Sequence, residues 1–314
     1  MSCGMNAPKL HHYVPQFHLR RFAGQTGRIW VWDKTKDSSF LSSPSGVAAE
    51  TGFYRMTDLA EEGHDPLTME KQFSALEGEV SLITGQWLNW LREIDPGEKI
   101  HVPKDNREIV SLYIALQFLR TADSRDIISA LIEEFGEGKR LSEEERRRLH
   151  TTLLWDEKTV KLITDRVRDT LWIFGRNSTS TPFLTSDNPV AFRTFDNAKW
   201  LKAGILSSGT YVVFPLAPDI VMYCHPEEPP WEKAANFNDC LSPVPFSPEM
   251  VESENSGQVF MATRFVISQT NDFNFAREFA RSIGTDLYAR KRPVVEPNAP
   301  SANTAAPDRN PSKP

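Results

Sequence analysis

Cysteine is scarce: Cys3, Cys224 and Cys240 are the three in 314 residues. They form no CxxC or CxxxC pair, so no zinc or redox motif is present, and a chain of this length needs no disulfide scaffold. No stretch approaches the roughly 18 apolar residues that a membrane helix requires. The opening MSCGMNAPKL has no apolar core, so neither a secretory signal nor a lipoprotein signal is expected. Positive charge is not in excess either, with 36 Lys and Arg against 42 Asp and Glu, a net charge of -6 and a pI near 5.7. That excludes a globally basic, nucleic-acid-coating protein and leaves only a local basic patch allowed. Also missing are the P-loop, GxGxxG, HExxH, the GxSxG nucleophile elbow and a D…ExK nuclease spacing. No internal repeat occurs. These absences lead us to expect a soluble, cytoplasmic protein that does not engage membranes.

The chain does have aromatics and prolines: 19 Phe, 8 Trp, and 22 Pro against 16 Gly. With 39% hydrophobic and 25% charged residues it can build an ordinary core and is neither disordered nor collagen-like overall. At about 150 residues per domain the length fits two domains, or one large domain with a tail. From Pro293 to the end, Pro, Ala, Asn and Ser replace large apolar residues. We expect 293–314 to be a disordered tail, because so little apolar surface cannot offset ordering entropy.

Residues 10–60 read as β-rich. RIWVWDK, from Arg28 to Lys34, alternates large apolar and polar positions after Gly24 and Gly27, and a short extended piece is expected near Gly52 to Tyr54. Residues 65–176 read as about four helices. Asp65-Pro66 opens the clearest one, in which Phe73, Leu76, Val80, Ile83, Trp87, Leu91 and Ile94 recur at spacings of three and four before Pro96-Gly97. A capping box is predicted at Asp105 to Glu108, ahead of a face formed by Ile109, Leu112, Tyr113, Leu116 and Leu119. Ser142 opens a further cap, with Glu143/Arg147 and Glu144/Arg148 as i,i+4 pairs. A fourth stripe runs through Val160, Ile163, Val167, Leu171 and Phe174. Residues 180–290 then mix strands (PFLTS, TYVVFPL, DIVMYC) with a helix from about Asn255 to Gln269. The expected class is α+β: one interwoven domain over 1–292, its helical middle packed on short, mostly antiparallel strands.

Four clusters hold chemistry-bearing groups. His11 to Phe22 crowds three imidazoles, two guanidiniums, a phenol and an amide into twelve residues, which suits acid–base work and oxyanion binding or simply an arm docked by its apolar residues. Glu70 and Glu77 lie two helical turns apart at nearly the same azimuth, a spacing for a cation, for acid–base work, or for two solvated flank residues. Arg120 falls on an apolar stripe with Gln117 at its edge. A lone buried charge costs several kcal/mol, so Arg120 must meet Glu70, Glu77, Asp187 or a bound anion. In Phe183 to Pro189, Asp187 sits at a strand end, although Ser-Asp-Asn-Pro is equally an Asx-turn in which Asp caps its own backbone.

HHYVPQFHLRRFA, the piece after RIWVWDK, the Glu70–Glu77 helix, LQFLRT and FLTSDNPV occur in an order that resembles the bacterial family catalogued as domain of unknown function 4238. The resemblance covers about residues 10 to 280. By that likeness His12, Tyr13, Pro15, Gln16, Phe22, Glu77, Gln117, Arg120, Ser186, Asp187, Asn188 and Pro189 are the matching positions. It implies no activity, but it treats four polar clusters as one recurrent set. We therefore expect a hydrolase, phosphodiesterase-like, acting on nucleic acid or a nucleotide. His12 would be the acid or base, with Glu77 and Asp187 as metal- or water-positioning carboxylates. Tyr13, Gln16, Gln117, Arg120 and Asn188 would bind substrate, Gln16 and Arg120 as phosphate clamps. A divalent metal is allowed but required by no motif. The alternative is a non-catalytic binding module in which Arg120 anchors an anionic ligand or a structural ion pair.

Overall fold

A computed structural model describes residues 10–53, 65, 67–135, 140–197, 199–202, 209–227 and 235–283. Tyr54 and the 293–314 tail lie outside them. Among the described residues there are fourteen strands and eight helices in an α+β arrangement. The N-terminal third contributes β1 (Leu10–His12), α1 (Gln16–Arg21), β2 (Ile29–Asp33), β3 (Ser38–Ser42) and β4 (Ala49–Thr51). Five helices rather than about four fill the middle: α2 (Thr68–Glu93), α3 (Lys104–Leu119), α4 (Ala122–Phe135), α5 (Glu143–Trp155) and α6 (Glu157–Arg168). The short β5 (Ile100–His101) separates the first two of them. The last third carries β6 (Leu171–Asn177), β7 (Thr185–Ser186), β8 (Ala191–Thr194), β9 (Trp200–Leu201), β10 (Thr210–Ala217) and β11 (Ile220–His225). It ends with β12 (Cys240–Leu241), β13 (Pro243–Phe246), α7 (Pro248–Met261), β14 (Phe265–Ser268) and α8 (Asn274–Ile283).

The largest sheet has strand order β13-β6-β11-β10-β8-β9. Its pairings are antiparallel except β13 with β6, which is parallel. A second sheet, β3-β2-β14-β7, joins the first fifty residues to the last third of the chain. Every residue of β10 is buried, which explains why its sequence reads as a continuous apolar run rather than an alternation. The main core cluster runs from Tyr13 on the arm through Trp87, Tyr113 and Phe214 to Ile267. Trp87 packs edge-on against Trp172 at 5.8 Å and Phe174 at 6.1 Å, tying α2 to the large sheet.

Two predicted helices end early. Leu171 and Phe174 continue the α6 stripe in phase but belong to β6, because Asp169 closes the helix and the backbone turns extended there. The helix expected over 255–269 begins instead at Pro248 behind the Ser247 cap and stops at Met261, leaving Phe265–Ser268 to pair as β14. The predicted cap at Asp105 is likewise absent: α3 starts at Lys104 behind Pro103, with no side-chain cap. The Ser142–Glu145 capping box does form.

Buried or half-buried donors close several helix C-termini, where the last carbonyls lack intrahelical partners and cations are favoured. Arg176 Nη1 donates to the carbonyls of Leu91, Arg92 and Ile94 at the end of α2. His150 Nε2 donates to the Leu119 carbonyl at 2.8 Å. Arg107 reaches the Arg168 and Thr170 carbonyls after α6. Lys34 donates to Val259 and Ala262, and Lys202 to Met261, at the end of α7. No helix among the described residues is long and apolar enough to cross a membrane.

A tight packing constraint lies on α7, where a Cβ at Gly257 would overlap the Trp200 ring. Trp200 is held there by its Nε1–H bond to Ser256 at 2.9 Å and by Arg193 over its face. Gly257→Ala gains up to about 1 kcal/mol of helix propensity and loses about 1–3 to overpacking. The expected net result is a lower urea midpoint. An unchanged or raised midpoint would show that Trp200 yields freely.

Candidate functional site

The N-terminal arm is held by backbone pairing first. β1 runs antiparallel to β4, with His12 opposite Ala49, and the Tyr13 N–H donates to the Ala48 carbonyl at 3.0 Å. Pro15 then opens α1. On the facing side, α2 carries Glu77, α3 carries Gln117, and Arg120 caps the C-terminus of α3. Gln117 Nε2 donates to the Tyr13 carbonyl at 3.0 Å. Its Oε1 accepts from Arg120 Nε and Nη2 at 3.0 and 2.8 Å, while Arg120 Nη1 donates to Glu77 at 2.7 Å. The Arg120 guanidinium also lies 5.2 Å from the Phe73 ring centre. Its side chain is 2% exposed and that of Glu77 25%. Of the counter-charges open to Arg120 from the sequence, Glu77 is its salt-bridge partner.

His12 stands at the rim of this network. Its Nε2 lies 3.2 Å from the Ser45 carbonyl, an acceptor only, so Nε2 carries the proton and Nδ1 the lone pair. Burial lowers its pKa below the ordinary 6.5, the Ser45 bond and Glu77 oppose that, and Arg120 and Arg20 add to it. Burial and Glu77 push the Glu70 carboxyl above its ordinary value, against the pull of Arg120. His12, Glu70, Glu77 and Arg120 thus share one electrostatic environment. Gln16 lies on α1, where its Oε1 accepts from the exposed Arg20 at 3.0 Å. The Tyr13 ring is buried against Phe53, and burial raises its hydroxyl pKa.

Asp187 and Asn188 belong to a different network. Asp187 Oδ1 accepts from the Thr263 N–H at 2.9 Å, and Oδ2 from those of Arg264 and Phe265 at 2.8 and 3.1 Å. The aspartate therefore caps the turn between α7 and β14 rather than its own backbone. Burial raises its pKa, while the three N–H groups and Lys34 pull it back. Asn188 Nδ2 donates to Asp123 at 3.0 Å, and Ser186 donates to Gln258 at 3.1 Å. Asp123 in turn meets Lys202 at 3.3 Å. Burial, reinforced by Lys202, drops Lys34 to about 7. Among the described residues no group of three or more His, Cys, Asp or Glu is arranged to hold a metal ion.

Lys34, Asp123 and Lys202 escaped the sequence reading, and His18, counted there among the imidazoles of the arm, is buried in the core. A lysine ending a strand reads as solvated, and its carbonyl partners lie some 225 residues away in the chain. His18 Nε2 pairs with Thr185 Oγ1 at 3.0 Å, and its ring stacks on Phe214 at 5.2 Å. No local pattern announces either contact.

The chain is an α+β protein whose N-terminal arm is bolted to two core helices by a buried Arg–Glu–Gln network. It belongs to the family described as protein of unknown function DUF4238, whose model matches residues 10–272. No curated protein and no solved structure shows significant similarity to it.

Removing the counter-charge isolates a buried guanidinium. Breaking an enclosed pair costs roughly 3–5 kcal/mol; because Glu77 is partly solvated, we expect Glu77→Gln to cost about 2 kcal/mol in urea unfolding. A loss under about 0.5 kcal/mol, the level of a solvated pair, would show that the pair contributes nothing.

Burial also holds His18 at about 3 and His150 at about 4, against an ordinary 6.5. Between those values and 6.5 the unfolded chain takes up protons that the folded one refuses. Their stabilisation is therefore complete above pH 6.5 and declines as pH falls, by up to about 1.4 kcal/mol per pH unit for each histidine. His18→Gln should flatten the decline measured between pH 6.5 and 4.5. A slope parallel to that of the wild type would refute the assignment.

Proposed function

We propose that the rim around His12 is a general acid–base site of a hydrolase acting on phosphoesters, nucleic acid or nucleotide among them. The observation that carries this reading is the contact of His12 Nε2 with the Ser45 carbonyl, which calls for a proton on Nε2 and so leaves Nδ1 as a neutral base on a half-buried residue. In the proposed step, Nδ1 takes a proton from water as the oxygen attacks phosphorus. Glu70, its carboxyl pushed up by burial and by Glu77, protonates the departing oxygen. Glu77 is held by Arg120, and the exposed Arg20 offers a cation to the phosphate. The base needs a pH above the lowered His12 value and the acid a pH below the raised Glu70 value. Activity should therefore follow a bell, lost at low pH as His12 is protonated and lost at high pH as Glu70 is deprotonated. Cysteines without disulfide spacing, two of them free, support a reducing, cytoplasmic setting, and we read 1–292 as one interwoven domain.

The test is turnover of bis(p-nitrophenyl) phosphate, single-stranded RNA and single-stranded DNA. His12→Asn and Glu70→Gln should each lower the rate on the accepted substrate about 100-fold or more. A wild-type protein inert on all three, or His12→Asn at the wild-type rate, would overturn the proposal. A non-catalytic binding module is favoured by one specific observation: Arg120, at 2% exposure, meets Glu77 and Gln117 inside the protein. Under that reading the ion pair is structural, and wild-type turnover is absent.

A further inference from the structure

A second site lies elsewhere, where α1 crosses the C-terminal half of α2. An open cleft of about 320 Å³ is lined there by Arg21, Arg92, Thr179, Ser180, Asp219 and Gln269, among others. Its two guanidiniums are not equivalent. Arg92 grips Asp219 with two bonds, Nε to Oδ2 at 2.5 Å and Nη2 to Oδ1 at 2.8 Å, and is neutralised by it. Arg21 has only neutral partners: its Nη2 donates to Thr84 Oγ1 at 2.6 Å and to the Ser81 carbonyl at 3.3 Å, and its guanidinium lies 5.1 Å from the Phe17 ring centre. Among the described residues no salt-bridge carboxylate lies within 4.0 Å of Arg21, and both its hydrogen bonds leave from Nη2. The lining thus carries one uncompensated positive charge.

The opposite wall is prepared by the loop after β6. Buried Asn177 accepts from the Thr179 N–H at 2.8 Å and its hydroxyl at 2.7 Å, and donates to the Thr181 carbonyl at 2.7 Å. That bonding fixes the loop and leaves the exposed Ser180 at the mouth, with the exposed Gln269 among the lining residues. Preorganised polar groups lose little entropy when a ligand arrives. A partly desolvated cation without a counter-ion favours an anion, and a guanidinium suits the oxygens of phosphate. The volume falls at the small end of ligand pockets, roughly 300–1,000 Å³.

We propose that this cleft binds a small phosphate-bearing, hydroxylated compound, with its phosphate on Arg21 and its hydroxyls against Ser180 and Gln269. Burial and the neighbouring Arg92 pull Arg21 down to about 10, a penalty that a bound anion relieves. The site is independent of the His12 rim and does not rest on its chemistry.

The test is isothermal titration calorimetry of the full chain with inorganic phosphate, ribose 5-phosphate and ribose. Both phosphates should bind saturably, ribose 5-phosphate more tightly, and ribose not at all. Arg21→Met should weaken ribose 5-phosphate at least tenfold. Gln269→Glu, an exposed change that spares the α1–α2 contact, should do the same by placing a negative charge in the cleft. His12→Asn should bind as the wild type does, which separates this site from the proposed hydrolytic one. No saturable binding of either phosphate would overturn the assignment. So would ribose binding as tightly as its phosphate, or undiminished affinity in Gln269→Glu.

Discussion

Arg120 enters the core because it closes the C-terminus of α3 in line with that helix's buried face, and a guanidinium there must find both charge and hydrogen bonds. Glu77 supplies the charge from α2, and Gln117 supplies an acceptor one turn back along α3. Gln117 then passes the constraint on by donating to the Tyr13 carbonyl of the arm. Three segments distant in sequence are thereby set against one another in a single orientation. The arm in turn delivers His12 to the rim, Arg21 to the polar cleft, and His18 and Phe22 to the core. If the network were apolar the contact would still bury surface, but nothing would fix its register, because the hydrophobic effect is non-directional.

The same economy of buried polar groups recurs away from the arm. Arg176, Arg107, Lys34 and Lys202 each bring a cation to carbonyls at a helix end, and Asp187 answers three N–H groups at the turn out of α7. These contacts satisfy backbone groups that would otherwise be orphaned inside the protein. They also account for much of the buried charge. Asp187 is the clearest instance: its residue type and strand-end position suit chemistry, yet its oxygens are committed to the backbone of residues 263–265.

Much of the helical middle was legible because α2 and α3 bury one face against a common core, and a 3.6-residue period survives in the choice of Phe73, Val80, Trp87 and Leu91. The Ser142–Glu145 box was legible because capping is decided within four residues. The failures have the same origin. Val167, Leu171 and Phe174 keep helical spacing, but Asp169 ends the helix and the sheet claims the last two. Phe265 and Val266 look helical by spacing, yet β2 and β7 offer them ladder partners from far along the chain. For the site, the joining of Arg120 to a nearby carboxylate followed from the cost of a buried charge. Which carboxylate it would be required the distance between helices.

By itself the sequence determined the α+β class, the position of the long amphipathic helix, the need for an acidic partner at Arg120 and the family to which the chain belongs. Each follows from local periodicity, from the intrinsic cost of desolvating a charge, or from motifs in fixed order. Only the tertiary structure decided that Glu77 is that partner, that Asp187 holds a turn, that His12 presents Nδ1, and that Arg21 faces a polar cleft without a counter-charge. Those outcomes depend on which groups meet across long sequence separations, and directional bonds between distant segments leave no periodic trace in either one.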